Sequence, residues 1–301
     1  MRVLMLALAL CSAPALAQAA SPAITDPVPD PAHPPRSQQV LIPTPTATGP
    51  EEMNALFYLS AGAGPHPTMI LFHGFPGNEQ NLDLAQAARR AGWNVLTLHY
   101  RGSWGSPGNF SIAHVLEDAH AAYAFVEDPA RAARYGIDRA HVVVAGHSMG
   151  GFAAASVART APELAGLVLI DAWDVGADGA KFAKLDPAAR HAEAPKRFDD
   201  LGHSLAGTSE AAVADEIAGH AKDWELLDWA PQLTRAPMLV IGAAKAGGAK
   251  NHALGEAVAR AGGKVTNLTM DTDHSFSDRR IGLASTLVAW LDKLRSGWAA
   301  R

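Results

Sequence analysis

Short, largely apolar runs recur along the chain at residues 68–72, 93–98, 142–145, 167–170 and 238–241. Runs of this length with little polar alternation predict strands buried on both faces, as in a parallel sheet. A further strand is predicted at 265–270. Partial alternation at 37–45 (Val40, Ile42) and at 54–60 (Leu56, Tyr58) predicts antiparallel edge strands before them. Helical patterns separate the strands, at 80–91, 112–127, from Phe152 to about residue 160, at 251–261 and at 281–294. In the second of these Ile112, Val115, Leu116, Ala119, Tyr123 and Val126 share one face. Strand and helix alternate throughout, so the pattern predicts an α/β protein with a mostly parallel sheet covered by helices on both faces.

Two stretches break the alternation. Residues 18–36 hold Pro22, Pro27, Pro29, Pro31, Pro34 and Pro35, a composition that predicts a disordered, extended leader before a folded domain at 37–298. Between Asp171 and Pro237 no strand is predicted, and helical patterns fall near 180–184, 186–194 and 209–229. This is far longer than an ordinary connection. It reads as a helical cap insertion at about 175–232 over a site, or else as a peripheral insertion that only stabilises the sheet.

Residues 1–17 carry Arg2, the apolar run 3–10 and Ala15-Leu16-Ala17 before Gln18, the layout of a cleavable export signal. The run is too short to span a bilayer. Cys11 is the only cysteine and lies within this signal, so no disulfide is expected in the mature chain, and Leu10 before it argues against a lipid anchor. The expected location is periplasmic or secreted. The 301 residues, 48% apolar, suffice for one enzyme-sized domain, and the net charge of -5 offers no basic footprint for nucleic acid or an anionic membrane. Neither is expected as a partner, and the pattern favours no particular oligomeric state.

The candidate chemistry sits where the predicted strands end. Val142-Val143-Val144 leads into Gly146-His147-Ser148-Met149-Gly150-Gly151 and then into Phe152-Ala153-Ala154-Ala155. A Gly-x-Ser-x-Gly turn between strand and helix holds a serine hydroxyl clear of the backbone, and the Met149 N–H at the helix start points at a developing oxyanion. A second donor is expected from the Phe75 N–H, in His73-Gly74-Phe75-Pro76-Gly77 after the 68–72 strand. A serine nucleophile needs a base, and of 13 histidines His274 follows the last strand in Asp273-His274-Ser275-Phe276. His147 is expected to pack, and His73 and His99 to make structural hydrogen bonds. No metal-ligand spacing occurs, so neither a metal nor another cofactor is expected. Ligands of open α/β sheets gather at carboxyl ends of strands, which would bring these segments together.

The turn at 73–77, the pentapeptide at 146–150 and Thr272-Asp273-His274-Ser275-Phe276, in that order over about residues 50–295, resemble the α/β-hydrolase superfamily of serine hydrolases. Tyr100-Arg101-Gly102-Ser103-Trp104-Gly105 is similar to loops of its prolyl-oligopeptidase-like and dienelactone-hydrolase-like branches, here without a propeller. The resemblance implies the α/β-hydrolase fold and a triad whose acid follows the strand at 238–241. Yet no Asp or Glu occurs between Asp228 and Glu256. Some members of the superfamily take the acid from the preceding strand end, which here offers Asp171, the first choice, or Asp174. Either could instead cap the next segment, and Asp273 and Asp278 are too near His274 in sequence to reach its far nitrogen readily. The expected function is hydrolysis of carboxylic esters through an acyl-enzyme. Short-peptide peptidase activity by the same mechanism, and a non-catalytic ligand-binding member of the fold, are the alternatives.

Overall fold

A computed structural model of the protein describes residues 21–44, 51–161, 163–198, 201 and 204–299; the expected export signal at 1–17 lies outside them. Its centre is one sheet of eight strands in the order β1-β2-β4-β3-β5-β6-β7-β8. The strands are β1 (Arg36–Thr44), β2 (Glu51–Leu59), β3 (His66–Phe72), β4 (Asn94–Leu98), β5 (Ile137–His147), β6 (Gly166–Ile170), β7 (Met238–Ala243) and β8 (Val265–Met270). β2 runs antiparallel to both its neighbours, and β4, β3, β5, β6, β7 and β8 are mutually parallel in turn.

The apolar runs are explained by the pleat. Successive side chains point to opposite faces. Ile70, Phe72, Val142, Val144, Leu167, Leu169, Met238 and Val240 enter one core, and Met69, Leu71, Val143, Ala145, Val168, Ile170, Leu239 and Ile241 the other. Helices α2 (Ile112–Glu127), α3 (Pro129–Tyr135), α4 (Met149–Thr160) and α8 (Gly248–Arg260) cover the first face, and α1 (Leu82–Arg90) and α9 (Arg280–Ala299) the second. β1 is an edge strand as expected, whereas β2 lies inside the sheet. Its last residues, Tyr58 and Leu59, are buried on opposite faces, so the partial alternation of its sequence understates how apolar its setting is. The short α3 is an addition to the predicted elements. Asp128 caps its start through Arg131 N–H, and left-handed Gly136 ends it.

Residues 21–35 form turns and irregular backbone without helix or strand. Their start is tied to the body by Arg90, which donates to the carbonyl oxygens of Pro22 at 2.7 Å and Ala23 at 3.0 Å.

The insertion between β6 and β7 consists of α5 (Val175–Phe182), α6 (Pro187–Arg197), α7 (Glu210–Gly219) and a 3-10 helix (Leu226–Thr234). Asp174, Asp186 and Ser209 cap the three α-helices. The helical stretch predicted at 209–229 is interrupted after Gly219, whose missing side chain weakens the helix, and resumes as the tighter 3-10 form around Pro231. A seam joins the insertion to the loop after β4. Trp104 N–H donates to Ser204 O at 3.0 Å, Ala206 N–H to Gly102 O at 2.7 Å and Phe110 N–H to Ala206 O at 2.9 Å. That loop is in turn anchored by buried Arg101, whose Nε donates to Asp118 Oδ1 at 2.6 Å while its backbone N–H reaches Asp118 Oδ2 at 2.7 Å.

Glu216 of α7 completes the seam. Its two carboxylate oxygens accept from the N–H groups of Ile112, at 2.9 Å, and Ala113, at 2.8 Å, two of the unpaired donors at the start of α2. Glu216→Ala leaves both without a protein partner and is expected to lower stability by about 1.5–3 kcal/mol. Urea unfolding of variant and parent checks this, with a greater loss expected than for Glu210→Ala on the same helix.

Candidate active site

β5 runs directly into α4 through Ser148, whose φ of 55° and ψ of −120° lie outside the usual regions for a side-chain-bearing residue. The turn closes only because its flanks are glycine. A Cβ on Gly146 would sit 2.0 Å from the carbonyl oxygen of Gly150, and one on Gly150 would sit 2.1 Å from that of Phe72. Backbone bonds hold the turn on all sides. Ser148 N–H donates to Ile170 O at 3.0 Å, and Ser148 O accepts from Gly151 N–H at 3.0 Å and Trp173 N–H at 2.9 Å. Although Ser148 occupies the N-cap position, its side chain makes no capping bond, in contrast to Ser111 and Ser209. Its hydroxyl is thereby available for chemistry.

The turn after β3 lies directly over the serine, so close that a Cβ on Gly74 would be 3.1 Å from Ser148 Cβ. In that turn the Phe75 N–H donates to no other described residue. Met149, the first residue of α4, has no intrahelical acceptor for its N–H.

Asp171 and His274 meet. Asp171 is buried at the end of β6, and its Oδ2 is 2.6 Å from His274 Nδ1. The carboxylate also accepts from Ala243 N–H at 2.9 Å and Gly247 N–H at 3.1 Å. The end of β7 and the acid-free loop after it therefore have a different part: a backbone donor from each holds a carboxylate supplied from the end of β6. A Cβ on Gly247 would be 2.9 Å from Asp171 Oδ1, which accounts for the glycine. Asn251 completes the arrangement from α8. Its Oδ1 accepts from Ala172 N–H at 2.8 Å, and its Nδ2 donates to the carbonyl oxygens of Ala172 and Gly247, each at 3.1 Å.

The other candidate acids are engaged elsewhere. Asp174 Oδ1 accepts from the N–H groups of Ala177, at 3.1 Å, and Leu226, at 3.3 Å, capping α5. Asp273 accepts from Ser277 N–H at 2.9 Å, and Asp278 from the Thr272 hydroxyl.

Ser148, Asp171 and His274 line one cavity of about 450 Å³, together with Phe75, Trp173 and Arg197. The insertion thus supplies part of its wall. Phe75, Trp173 and Phe198 form an aromatic group with ring centroids 5.7 to 6.1 Å apart. Asp178 organises it by accepting from Trp173 Nε1 at 2.8 Å, Arg197 Nη2 at 2.8 Å and Lys181 Nζ at 2.7 Å. The Arg197 guanidinium lies over the Trp173 and Phe198 rings. Burial works against ionisation of Asp178, yet the bonds from Lys181, Arg197 and Trp173 prevail and hold its pKa at about 2.

Sequence reading singles out Ser148, His274, Asp171, Asp174, Phe75 and Met149, and misses Asn251, Asp178 and Arg197. Asn251 is a polar residue on the buried face of α8, a signal in principle, but the helix pattern alone does not say what it faces. Of the strand-end histidines, buried His73 donates from Nδ1 to Gly74 O at 2.7 Å. Mostly buried His99 has no partner for its Nδ1 among the described residues.

A family model described as the alpha/beta hydrolase fold matches residues 67–300. Among solved structures, a thermophilic carboxylesterase, EstE1, cloned from a metagenomic library is 19% identical at a TM-score of 0.63, over 90% of this chain and 91% of that one. A thermostable carboxyl esterase of Bacillus coagulans is 16% identical at 0.63, over 86% and 98%. Dipeptidyl peptidase 4 of Porphyromonas gingivalis is 18% identical at 0.59, over 87% of this chain but 35% of that one. These likenesses are of fold.

Burial, the dominant cause in each case, holds the pKa of both His73 and His147 down to about 4 from an ordinary 6.5. Both rings are neutral in the folded protein, so as pH falls the unfolded chain binds protons first. Their contribution to stability is complete above about 6.5 and is lost as pH drops through about 4. The thermal midpoint, followed from pH 7 to pH 4, is expected to fall across this window, and less steeply in the His73→Gln/His147→Gln double variant.

Proposed function

Because this chain belongs to the α/β-hydrolase fold family, we propose that it is a serine hydrolase of carboxylic esters, acting through a triad of Ser148, His274 and Asp171. The strongest support is the 2.6 Å contact between Asp171 Oδ2 and His274 Nδ1 at the wall of the cavity that Ser148 also lines. With Nδ1–H donated to the carboxylate, Nε2 of His274 is left as the base. Ser148 Oγ attacks the ester carbonyl carbon as its proton passes to Nε2. The carbonyl oxygen becomes an oxyanion, received by the N–H groups of Met149 and Phe75, each worth roughly 3 kcal/mol to the transition state. Collapse breaks the bond to the alcohol oxygen, which leaves with the proton from Nε2. Water repeats the sequence on the acyl-enzyme, again through His274, and releases the acid.

Asp171 supports the imidazolium that forms twice in the cycle. The Phe75, Trp173 and Phe198 wall favours a neutral ester with an apolar group. The layout of residues 1–17 supports export, so the proposed place of action is the periplasm or the medium.

A fluorophosphonate probe is expected to label the wild-type protein and not Ser148→Ala. Failure of the wild type to label would favour a non-catalytic, ligand-binding member of the fold. Against p-nitrophenyl esters of rising acyl length, Asp171→Asn should lose about 10⁴-fold in kcat. Asp174→Asn, which keeps the capping oxygen, should keep turnover within about tenfold and change stability by only a few tenths of a kcal/mol. Aminoacyl and peptidyl anilides in the same panel test for a peptidase, which faster turnover of the anilides would establish instead.

A further inference from the structure

His274 is carried by an irregular segment between β8 and α9, and its side chain is 45% exposed. Few packing contacts fix such a ring, while displacement of a catalytic group by about 1 Å costs on the order of 10²-fold in rate. Something must hold the main chain that bears it. Arg280 does so one residue on, donating from Nη1 to Ser275 O at 3.0 Å. At His274 itself the contact comes from His147, the residue before the serine. His147 Nε2 lies 2.8 Å from the carbonyl oxygen of His274. A carbonyl only accepts, so Nε2 carries the proton.

The His147 ring is almost fully buried and lies among all the parts of the site. Its centroid is 4.6 Å from that of His274, and it meets Phe276 edge-on. Its Nδ1 lies 3.3 Å from where a Cβ of Gly74 would be and has no hydrogen-bond partner among the described residues. A filler of this space would be apolar. The buried unpaired nitrogen on one side is accepted in exchange for a donor on the other.

We propose that His147 is a positioning residue for the hydrolysis described above, its Nε2–H tethering the His274 main chain to the nucleophile turn so that the His274 ring stays between Asp171 and Ser148. The inference rests on His274 being the base. Burial, and next the adjacent His274, keep the His147 pKa near 4, so the tether is a neutral donor at pH 7. A Lys or Arg donor there would put a positive charge beside the imidazolium that forms in each half of the cycle and oppose it.

The test compares wild type with His147→Gln, which keeps a neutral N–H donor, and His147→Leu, which fills the space without one. Circular dichroism verifies folding, and His147→Met replaces the leucine variant should that not fold. With a p-nitrophenyl ester, glutamine is expected to keep kcat within about fivefold. Leucine should lower kcat by about 10- to 100-fold with KM changed less than about threefold. In proton NMR the downfield Nδ1–H signal of His274, assigned by its loss in Asp171→Asn, should persist in wild type and glutamine and broaden away in leucine. A role in packing alone predicts the reverse order. Leucine matching or surpassing glutamine in kcat, with the signal retained, would overturn the proposal. If the wild type neither turns over esters nor labels at Ser148, the hydrolase reading fails, and the NMR comparison still decides whether His147 tethers His274.

Discussion

The site depends on one buried carboxylate having three donors. Asp171 leaves the end of β6 with its backbone in a left-handed conformation at φ 40°, and it is taken out of water entirely. An isolated carboxylate there would carry a large desolvation cost. The N–H of Ala243 at the end of β7, that of Gly247 in the loop after it and the imidazole of His274 satisfy it instead. These three donors come from the end of β7, the connection after it and the connection after β8, so the carboxylate also serves as the point to which all three are referred. Asn251 locks the next peptide, and the serine turn is hydrogen-bonded to the chain on either side of Asp171, through Ile170 O at the end of β6 and Trp173 N–H beyond it. The loop after β7, which has no acid of its own, is thus joined to the carboxylate at the end of β6. Gly247 is where that loop passes closest to the carboxylate, while Gly242 and Gly248 are required by their approach to each other and to Ala243 O.

The insertion is coupled to the site along two routes. The segment at 204–206 pairs with the loop after β4, and Glu216 caps α2. Both contacts fasten the insertion to elements built on the sheet rather than leaving it as a separate lobe. Asp178 connects it to the cavity, since one buried side chain orients the Trp173 indole and the Arg197 guanidinium at once. A cavity wall held by ionic hydrogen bonds across α5 and α6 is geometrically specific, because both carboxylate oxygens are already engaged and few alternative pairings remain.

Much of this was legible in the sequence. Period-two burial on both faces makes uninterrupted apolar runs, so residues 68–72, 142–145, 167–170 and 238–241 announce central strands without any knowledge of their order. Gly146 and Gly150 announce the sharp turn at Ser148, because their absent side chains are required by contacts within a few residues. β2 was harder to place, since whether a half-alternating strand lies at the edge or inside depends on which strand arrives on its far side, here β4.

What local pattern determined, then, is the element type, the serine turn and the set of strand ends where chemistry could gather, all consequences of interactions spanning a few residues. Only the folded chain decided which carboxylate meets His274. Asp171 and Asp174 are three residues apart and chemically identical, and the choice between them follows from Ala243, Gly247 and Leu226, all more than fifty positions away. The same holds for Asn251, Arg197 and His147, which meet Ala172, Asp178 and His274 from other elements. A buried polar residue must find a partner, and which part it takes in a site is set by the atoms the fold brings to face it.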